Sequence, residues 1–478
     1  MVLDPRFHGN DRCNYFIMTY RVRQFILLLG DLGCLYFGLR LAIFLRNPIV
    51  AIKTLNDLIQ PMFGLFFIAL IIIYIAGAYD ITRTKNSWNF YQRLIASSLI
   101  WMIIGIAFFY FRNYQYTTPK TILALTTFLG FGLIGIWRFL HNQFLSNVIH
   151  KTNLIIAGLT KETLEIIQII QKTPELGYQI LGVVETDHAN SLLSLTPGIS
   201  ISENINNIRE KHSNDQIHLI VVSRAQNSNQ NLMKELYHDL FKQIEVVEET
   251  DFFEKITGRI PPITFSESWF LTNFHEQQKK VYDRIKILID YIVSVFMSLF
   301  FVITFPFIAI LIKINSRGSV FYKQERVGKN GKIFKIYKYR TMQVLNKNGS
   351  AETGGPQWAE EKDARVTGVG KLLRRARLDE VPQFINILRG EMSLIGPRPE
   401  RPEFVAQLKE KMPFYDLRHL VKPGLTGWAQ LQESYYGTME ENLRKLEYDL
   451  FYVKNRNWLL DLIISLRTIN VVLKMAGR

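Results

Sequence analysis

Cysteine is nearly absent: among 478 residues only Cys13 and Cys34 occur, with neither metal-ligand spacing nor a disulfide framework. That excludes structural or catalytic zinc of the thiolate type, and nothing calls for an oxidising compartment. Acidic residues are in deficit, with 42 Asp and Glu against 57 Lys and Arg, leaving a net charge of +15. Such an excess favours nucleic acid, anionic lipid or phosphate-bearing ligands without choosing among them. The opening stretch MVLDPRFHGNDRCNYFI lacks the apolar core of a signal peptide, so residues 1–23 read as an N-terminal tail, with Met18 an alternative start.

Apolar sequence is what the chain has in quantity: 48% of residues are hydrophobic and 13% aromatic, too apolar for an ordinary soluble enzyme. Four runs, about 24–45, 60–79, 94–111 and 121–140, each approach the roughly 20 residues that cross a bilayer as a helix. The stretch LFFIALIIIYIAGAY has no polar face, which a core helix of a soluble protein would show. Arg21, Arg23, Arg83, Lys85, Arg93, Arg138 and Lys151 lie at one set of run ends, and Arg46, Lys53 and Lys120 at the other. This bias predicts a four-helix transmembrane bundle over 24–150 with both its chain ends in the cytoplasm.

The pattern then changes. Over 151–250, β-branched runs (NLIIAGL, YQILGVVE, HLIVVS, IEVVEE) alternate with amphipathic segments such as KETLEIIQIIQKT, which predicts an α/β, Rossmann-like cytoplasmic domain on a parallel sheet. Its first turn, IIAGLTKETL, offers Gly158 alone where a dinucleotide fingerprint needs three glycines, so no NAD is expected there. A regulatory or homodimerising role fits such a domain, while its ligand is not legible in the sequence. Residues 251–280, with GRIPP, read as a linker with little core of its own.

A fifth run, 285–314, carries Asp290 near its start and Pro306 past its middle. If it crossed the membrane it would export residues 313–422, which hold 23 Lys and Arg against 12 Asp and Glu. So basic a segment prefers the cytoplasm, which predicts a re-entrant membrane helix that breaks at Pro306 and returns to the face it left. The competing reading is an ordinary spanning helix mildly kinked at Pro306.

Beyond it, RRARLDEVPQ sets Asp379 and Glu380 behind Arg374, Arg375 and Arg377. Pro382 suits a first helical turn, so DEVPQFINIL predicts a helix starting near Asp379, with the acids at its positive end. The bland alternative is an Asp N-cap among solvated surface charges. Dense Gly and Pro place the basic side chains on loops and short helices, and a membrane-tethered basic patch with paired acids fits a small phosphate ligand better than nucleic acid.

In order, FYKQERVG, KYRTM, DARVTGVGKLLR, LDEVPQFINILRGEMSLIGPRPE and KPGLTGWAQ resemble the bacterial sugar transferase family of monotopic polyprenyl-phosphate hexose-1-phosphate transferases, over residues 281–478. The segments before them are similar to long members of that family, and RPERPEF looks most like the exopolysaccharide branch. The resemblance implies a mainly α catalytic domain in the bacterial inner membrane, facing the cytoplasm. It implies transfer of hexose 1-phosphate from a UDP-hexose to undecaprenyl phosphate, releasing UMP and initiating exopolysaccharide, capsule or O-antigen synthesis. Asp379 would be the nucleophile, Glu380 would complete the dyad, and Mg²⁺ would be held at Asp379; charge neutralisation by metal and guanidinium is what lets a carboxylate approach a pyrophosphate. Arg374, Arg398, Lys338 and Arg340 are the expected phosphate ligands, whereas Arg375 and Arg377 are expected to be surface charges. Gly427 and Gln430 are family-typical, with a turn-forming role equally open. One departure is Phe305, where family hairpins commonly carry Ser before the breaking Pro. A catalytically silent membrane scaffold regulating polysaccharide assembly is the alternative, and the intact Asp379, Glu380, Arg374 and Arg398 argue against it.

Overall fold

The computed structural model describes residues 13–46, 51–79, 88–111, 119–145, 152–185, 198–212, 217–224, 226, 229–241, 244–262, 267–274, 279–343, 365–432 and 438–473. The chain divides into two compact units, Met1–Phe253 and Glu254–Arg478.

The first unit opens with four apolar helices: α1 (Cys13–Arg46), α2 (Ala51–Ile75), α3 (Trp88–Phe111) and α4 (Pro119–Leu140). Helix α1 reaches back into the predicted tail, of which residues 1–12 lie outside the described residues. The four share one core, with Leu35, Leu39, Met62, Phe66, Trp101 and Ile134 buried. Outward they present Phe37, Phe67, Ile103 and Phe128. An apolar exterior over an apolar interior is the pattern of helices solvated by lipid, and each of the four contains a stretch long enough to cross a bilayer. A buried ion pair lies within it: Arg138 of α4 donates from Nη2 to Asp31 of α1 at 2.6 Å, and the Tyr79 hydroxyl donates to the same carboxylate at 2.7 Å. A charge in such surroundings is tolerated when paired, and removing one partner of a buried pair costs about 3–5 kcal/mol.

The rest of this unit alternates strand and helix: β1 (Thr152–Ala157), α5 (Lys161–Lys172), β2 (Tyr178–Val184), β3 (Ile201–Ser202), α6 (Ile205–Lys211), β4 (Leu219–Val222), α7 (Gln230–Phe241), β5 (Glu245–Glu248) and α8 (Glu249–Thr257). The strands form one all-parallel sheet in the order β3-β2-β1-β4-β5, with Ile155 beside Ile220 and Val221 beside Val247. The continuous apolar runs of β1 and β4 are buried because helices cover parallel sheets on both faces. The short β3 and α6 carry too few residues to show a period, and the sequence pattern misses them.

The second unit holds α9 (Glu267–Asn273), α10 (Lys280–Asn315), β6 (Phe321–Val327), β7 (Ile333–Tyr339), α11 (Gly368–Arg375), a 3-10 turn (Leu378–Gln383), α12 (Phe384–Leu388), β8 (Ser393–Ile395), α13 (Pro402–Lys411), β9 (Gly424–Thr426), α14 (Trp428–Gln432), α15 (Met439–Asn455) and α16 (Trp458–Leu473). The segment expected to be a linker belongs in part to this unit's core: Ile260, Trp269 and Phe270 are buried against Val405, Leu408, Tyr415 and Leu450. Arg259 pairs with Glu447 at 3.0 Å. GRIPP signals a turn, but Trp and Phe nearby needed a core, and only the folded chain supplies it.

Helix α10 differs from the broken hairpin foreseen in the sequence: it is a single helix of 36 residues, helical through Pro306. Beside the proline the Thr304 hydroxyl donates to the Phe300 carbonyl at 2.9 Å, and Phe301 and Phe305 stack with Phe321 and Tyr339. Tyr282, Asp290, Ser294, Ile308 and Ile312 are buried in one stripe. The opposite face, with Phe296, Leu299, Val302 and Ile310, is exposed.

Candidate active site

Strand β7 and the 3-10 turn bring the predicted residues together. Arg377 adopts a left-handed conformation (φ 57°) at the head of the turn, so the chain reverses and Asp379 and Glu380 point inward; both are buried. The pair therefore does not cap a long α-helix as the proline suggested. The positive charge around it comes from side chains. Lys338 Nζ lies 2.9 Å from Glu380 Oε1, Arg398 Nη2 lies 3.0 Å from the same oxygen, and Arg377 Nη1 lies 3.5 Å from Oε2. Arg377, expected at the surface, is thus a third cation on Glu380, a role that depends on its left-handed backbone.

Asp379 has no ion pair or side-chain hydrogen bond among the described residues. Arg374, Lys338 and Arg398 act on it by charge alone, and the Arg374 Nε donates instead to Thr341 Oγ1 at 2.9 Å. Burial, reinforced by the negative charge of Glu380, raises the Asp379 pKa above the usual carboxylate value, against the pull of the three cations. Burial would raise Glu380 as well, but Lys338, Arg398 and Arg377 overrule it and hold that carboxyl well below its ordinary value. The two acids are therefore unlike: one is held by three cations, and the other, among the described residues, is in no ion pair.

Arg340 is placed elsewhere. Its Nη1 donates to the Arg317 carbonyl at 2.5 Å and its Nη2 to the Ser316 carbonyl at 2.8 Å, closing the C-terminal end of α10. It lies just past the last residue of β7, and where a phosphate ligand was expected it meets the carbonyls of the helix C-cap and of the residue after it.

Arg398 is held from behind. Its carbonyl accepts from Arg418 at 2.8 Å, and its Nη1 lies 3.4 Å from Gln430 Oε1, which gives Gln430 a contact with the site. The neighbouring Pro399 carbonyl accepts from Arg326 at 3.0 Å. Glu400 lies between Lys445 and Arg326, and those cations with Arg418 outweigh burial to hold it at about 2. The IGPRP and PGLTG blocks meet backbone to backbone: Gly396 N–H donates to Thr426 at 2.9 Å and Gly424 N–H to Pro397 at 2.9 Å. A Cβ on either glycine would collide with the other's backbone, which explains the glycines in both blocks.

Helix α10 feeds the same strand. Asp290 accepts from the Leu394 N–H at 3.2 Å, and Tyr282 and Lys286 each reach Asp461 of α16 at 2.7 Å. Asp290, singled out as a feature of the membrane hairpin, thus anchors β8 four residues before Arg398. Sequence reasoning passed over Asp461 and Thr341 and took Arg377 for a surface charge; of these only Asp461, a lone acid in an apolar run, carried a signal.

Residues 281–475 match the Bacterial sugar transferase family, and residues 74–240 match a CoA-binding domain family that takes in α3 and α4 as well as most of the α/β domain. The chain is 31% identical over 332 residues to a UDP-glucose:undecaprenyl-phosphate glucose-1-phosphate transferase of Klebsiella pneumoniae, covering 67% of each. It is 27% identical over 369 residues to a protein of the same name from Xanthomonas campestris pv. campestris, covering 71% of this chain and 74% of that one. To the UDP-N-acetylgalactosamine-undecaprenyl-phosphate N-acetylgalactosaminephosphotransferase of Aeromonas hydrophila it is 46% identical over 169 residues, 35% of this chain but only 39% of that protein. The chain belongs to the bacterial sugar transferase family, a family of membrane-associated transferases.

Proposed function

We propose that the protein transfers hexose 1-phosphate from a UDP-hexose to undecaprenyl phosphate, the initiating step of a surface polysaccharide. The observation that carries this is the asymmetry of the dyad: Glu380 is gripped by three cations, and among the described residues Asp379 beside it has no ion pair. An Asp379 oxygen attacks the sugar-linked phosphorus, the bond from that phosphorus to the bridging oxygen breaks, and UMP leaves. A phosphate oxygen of undecaprenyl phosphate then attacks the same phosphorus, expelling the Asp379 carboxylate and giving undecaprenyl-diphospho-hexose. Lys338, Arg374 and Arg398 stabilise the charge on the transferring phosphate, and Glu380 keeps Lys338 and Arg398 in place.

Among the described residues no group of three or more His, Cys, Asp or Glu forms a ready metal cage. One unpaired carboxylate nevertheless fits Mg²⁺, which commonly takes one or two carboxylates and completes its shell with water and substrate phosphates. Asp379 would hold it, and the ion would supply further neutralisation of the diphosphate.

The topology we infer keeps α10 on one side of the bilayer. Its 36 residues give about 54 Å of helix, and it meets its own unit near both ends, through Tyr282 and Asp290 at one and Ile308 and Ile312 at the other, while the stretch between is largely exposed. Contact with the catalytic unit at both ends supports a helix lying along the membrane face in place of the broken hairpin, with the dyad at the cytoplasmic headgroup level of the inner membrane, where UDP-sugars are available. Incubation of membranes with labelled UDP-sugars and undecaprenyl phosphate tests the reaction: label should enter lipid with one of them, and no transfer with any would overturn the reading. Single cysteines at Gln278 and Ser319 should both resist an impermeant thiol reagent outside spheroplasts and both react after lysis. Labelling of Ser319→Cys alone from outside would show a spanning helix.

A further inference from the structure

The match to a CoA-binding domain family implies a ligand in the α/β domain, and the residues do not fit one. In a doubly wound sheet a nucleotide sits beyond the C-terminal strand ends where the strand order reverses, in this sheet between β1 and β4, with its phosphate on the N–H groups that open the first helix. We propose that in this protein the crevice is filled by two of the chain's own carboxylates, Glu185 and Glu249, and takes neither CoA nor a nucleotide.

Three donors at this crevice are engaged by those two carboxylates. The Leu159 N–H, in the turn after β1, donates to Glu185 Oε2 at 2.7 Å; Glu185 directly follows β2 and is buried. The hydroxyl of Thr160, the N-cap of α5, donates to Glu249 Oε1. On the far lip the Arg224 N–H, just past β4, lies 3.4 Å from Glu249 Oε2. Glu249 is also buried, so two carboxyl groups stand at the donors a phosphate would use. Space is closed as well. Gly158, the turn's one glycine, has φ +93°, and a Cβ there would overlap the Ser223 hydroxyl and meet Gln226 Cγ at 2.9 Å. In a nucleotide-binding turn such a glycine lets the backbone approach a pyrophosphate; in this chain it lets the turn pack against the end of β4 instead.

Glu249 also gives the crevice a use. It is the first residue of α8, whose Phe252 and Phe253 are buried, with Phe252 edge-on to Tyr178 at 5.1 Å. The ligand end of the domain therefore serves as the latch for α8, through which the chain passes to the catalytic unit.

The test uses the full-length protein in lipid nanodiscs and is independent of the transfer reaction. Titration calorimetry with CoA, NAD and ADP up to about 1 mM should give no saturable heat, and CoA binding at or below about 100 µM would overturn the proposal. Hydrogen exchange tests the occupants themselves: Glu185→Ala should speed exchange at Leu159, and Glu249→Ala at Arg224 and along α8, by at least about tenfold. Wild-type exchange rates at these amides in folded variants would overturn the latch.

Discussion

Two pairs of carboxylates are buried at the entrance to a short helix in this protein, and they are used in opposite ways. In the α/β domain Glu185 and Glu249 meet backbone N–H groups and a hydroxyl, and both become fixtures of the fold. In the catalytic unit Asp379 and Glu380 meet Lys338, Arg377 and Arg398, and all three cations converge on Glu380. A carboxylate matched by its donors is spent on structure. A site that can accept chemistry is one where the charge is compensated and one acid is left over.

That contrast is most directly broken at Asp379. Asp379→Asn, an isosteric change at the unpartnered acid, should cut label transfer to lipid by at least about 10³-fold while the protein stays folded and membrane-inserted. Transfer near the wild-type rate would remove Asp379 from its role. Glu380→Gln leaves the nucleophile but frees three cations, and should cost about 10²-fold in turnover.

The pH profile sharpens the comparison. The nucleophile must be ionised and its pKa is raised, so transfer should fall as pH drops through a value above the ordinary aspartate range. In Glu380→Gln the adjacent negative charge is gone, and the acid limb of the residual rate should move to lower pH; a limb that stays put would argue against coupling between the two acids. Stability has the opposite source. The folded-state pKa of Glu380 is depressed, so its ion pairs contribute above the ordinary glutamate pKa, and that contribution is lost as pH falls, which thermal melting of wild type against Glu380→Gln would read.

Smaller effects belong to the supports. Arg398→Lys keeps the charge but loses the second donor arm toward Gln430, and should lower kcat about tenfold. Gln430→Ala, which removes a 3.4 Å contact at the edge of the site, should lower it about two- to threefold. Glu185→Gln, in the other carboxylate pair, should leave transfer within about twofold of wild type.

The sequence by itself determined the elements whose physics is local or periodic. The apolar runs that became α1 to α4 exceed what a soluble core needs, and the alternation of NLIIAGL, YQILGVVE, HLIVVS and IEVVEE with amphipathic segments admits little but a parallel sheet. The blocks around Asp379, Lys338, Arg374 and Arg398 were legible because the residue types a phosphate needs cluster in sequence. What the tertiary structure alone decided is which atoms those residues face. Lys338 and Arg340 are two residues apart, yet one reaches Glu380 and the other closes α10, because β7 ends between them. Trp269 and Phe270 pass for linker until α13 and α15 cover them. The unequal fates of Asp379 and Glu380 come largely from Lys338 and Arg398, and the occupation of a ligand crevice by Glu249 from Thr160 and Arg224, all well separated in sequence from the acids they meet, and no local pattern carries that information.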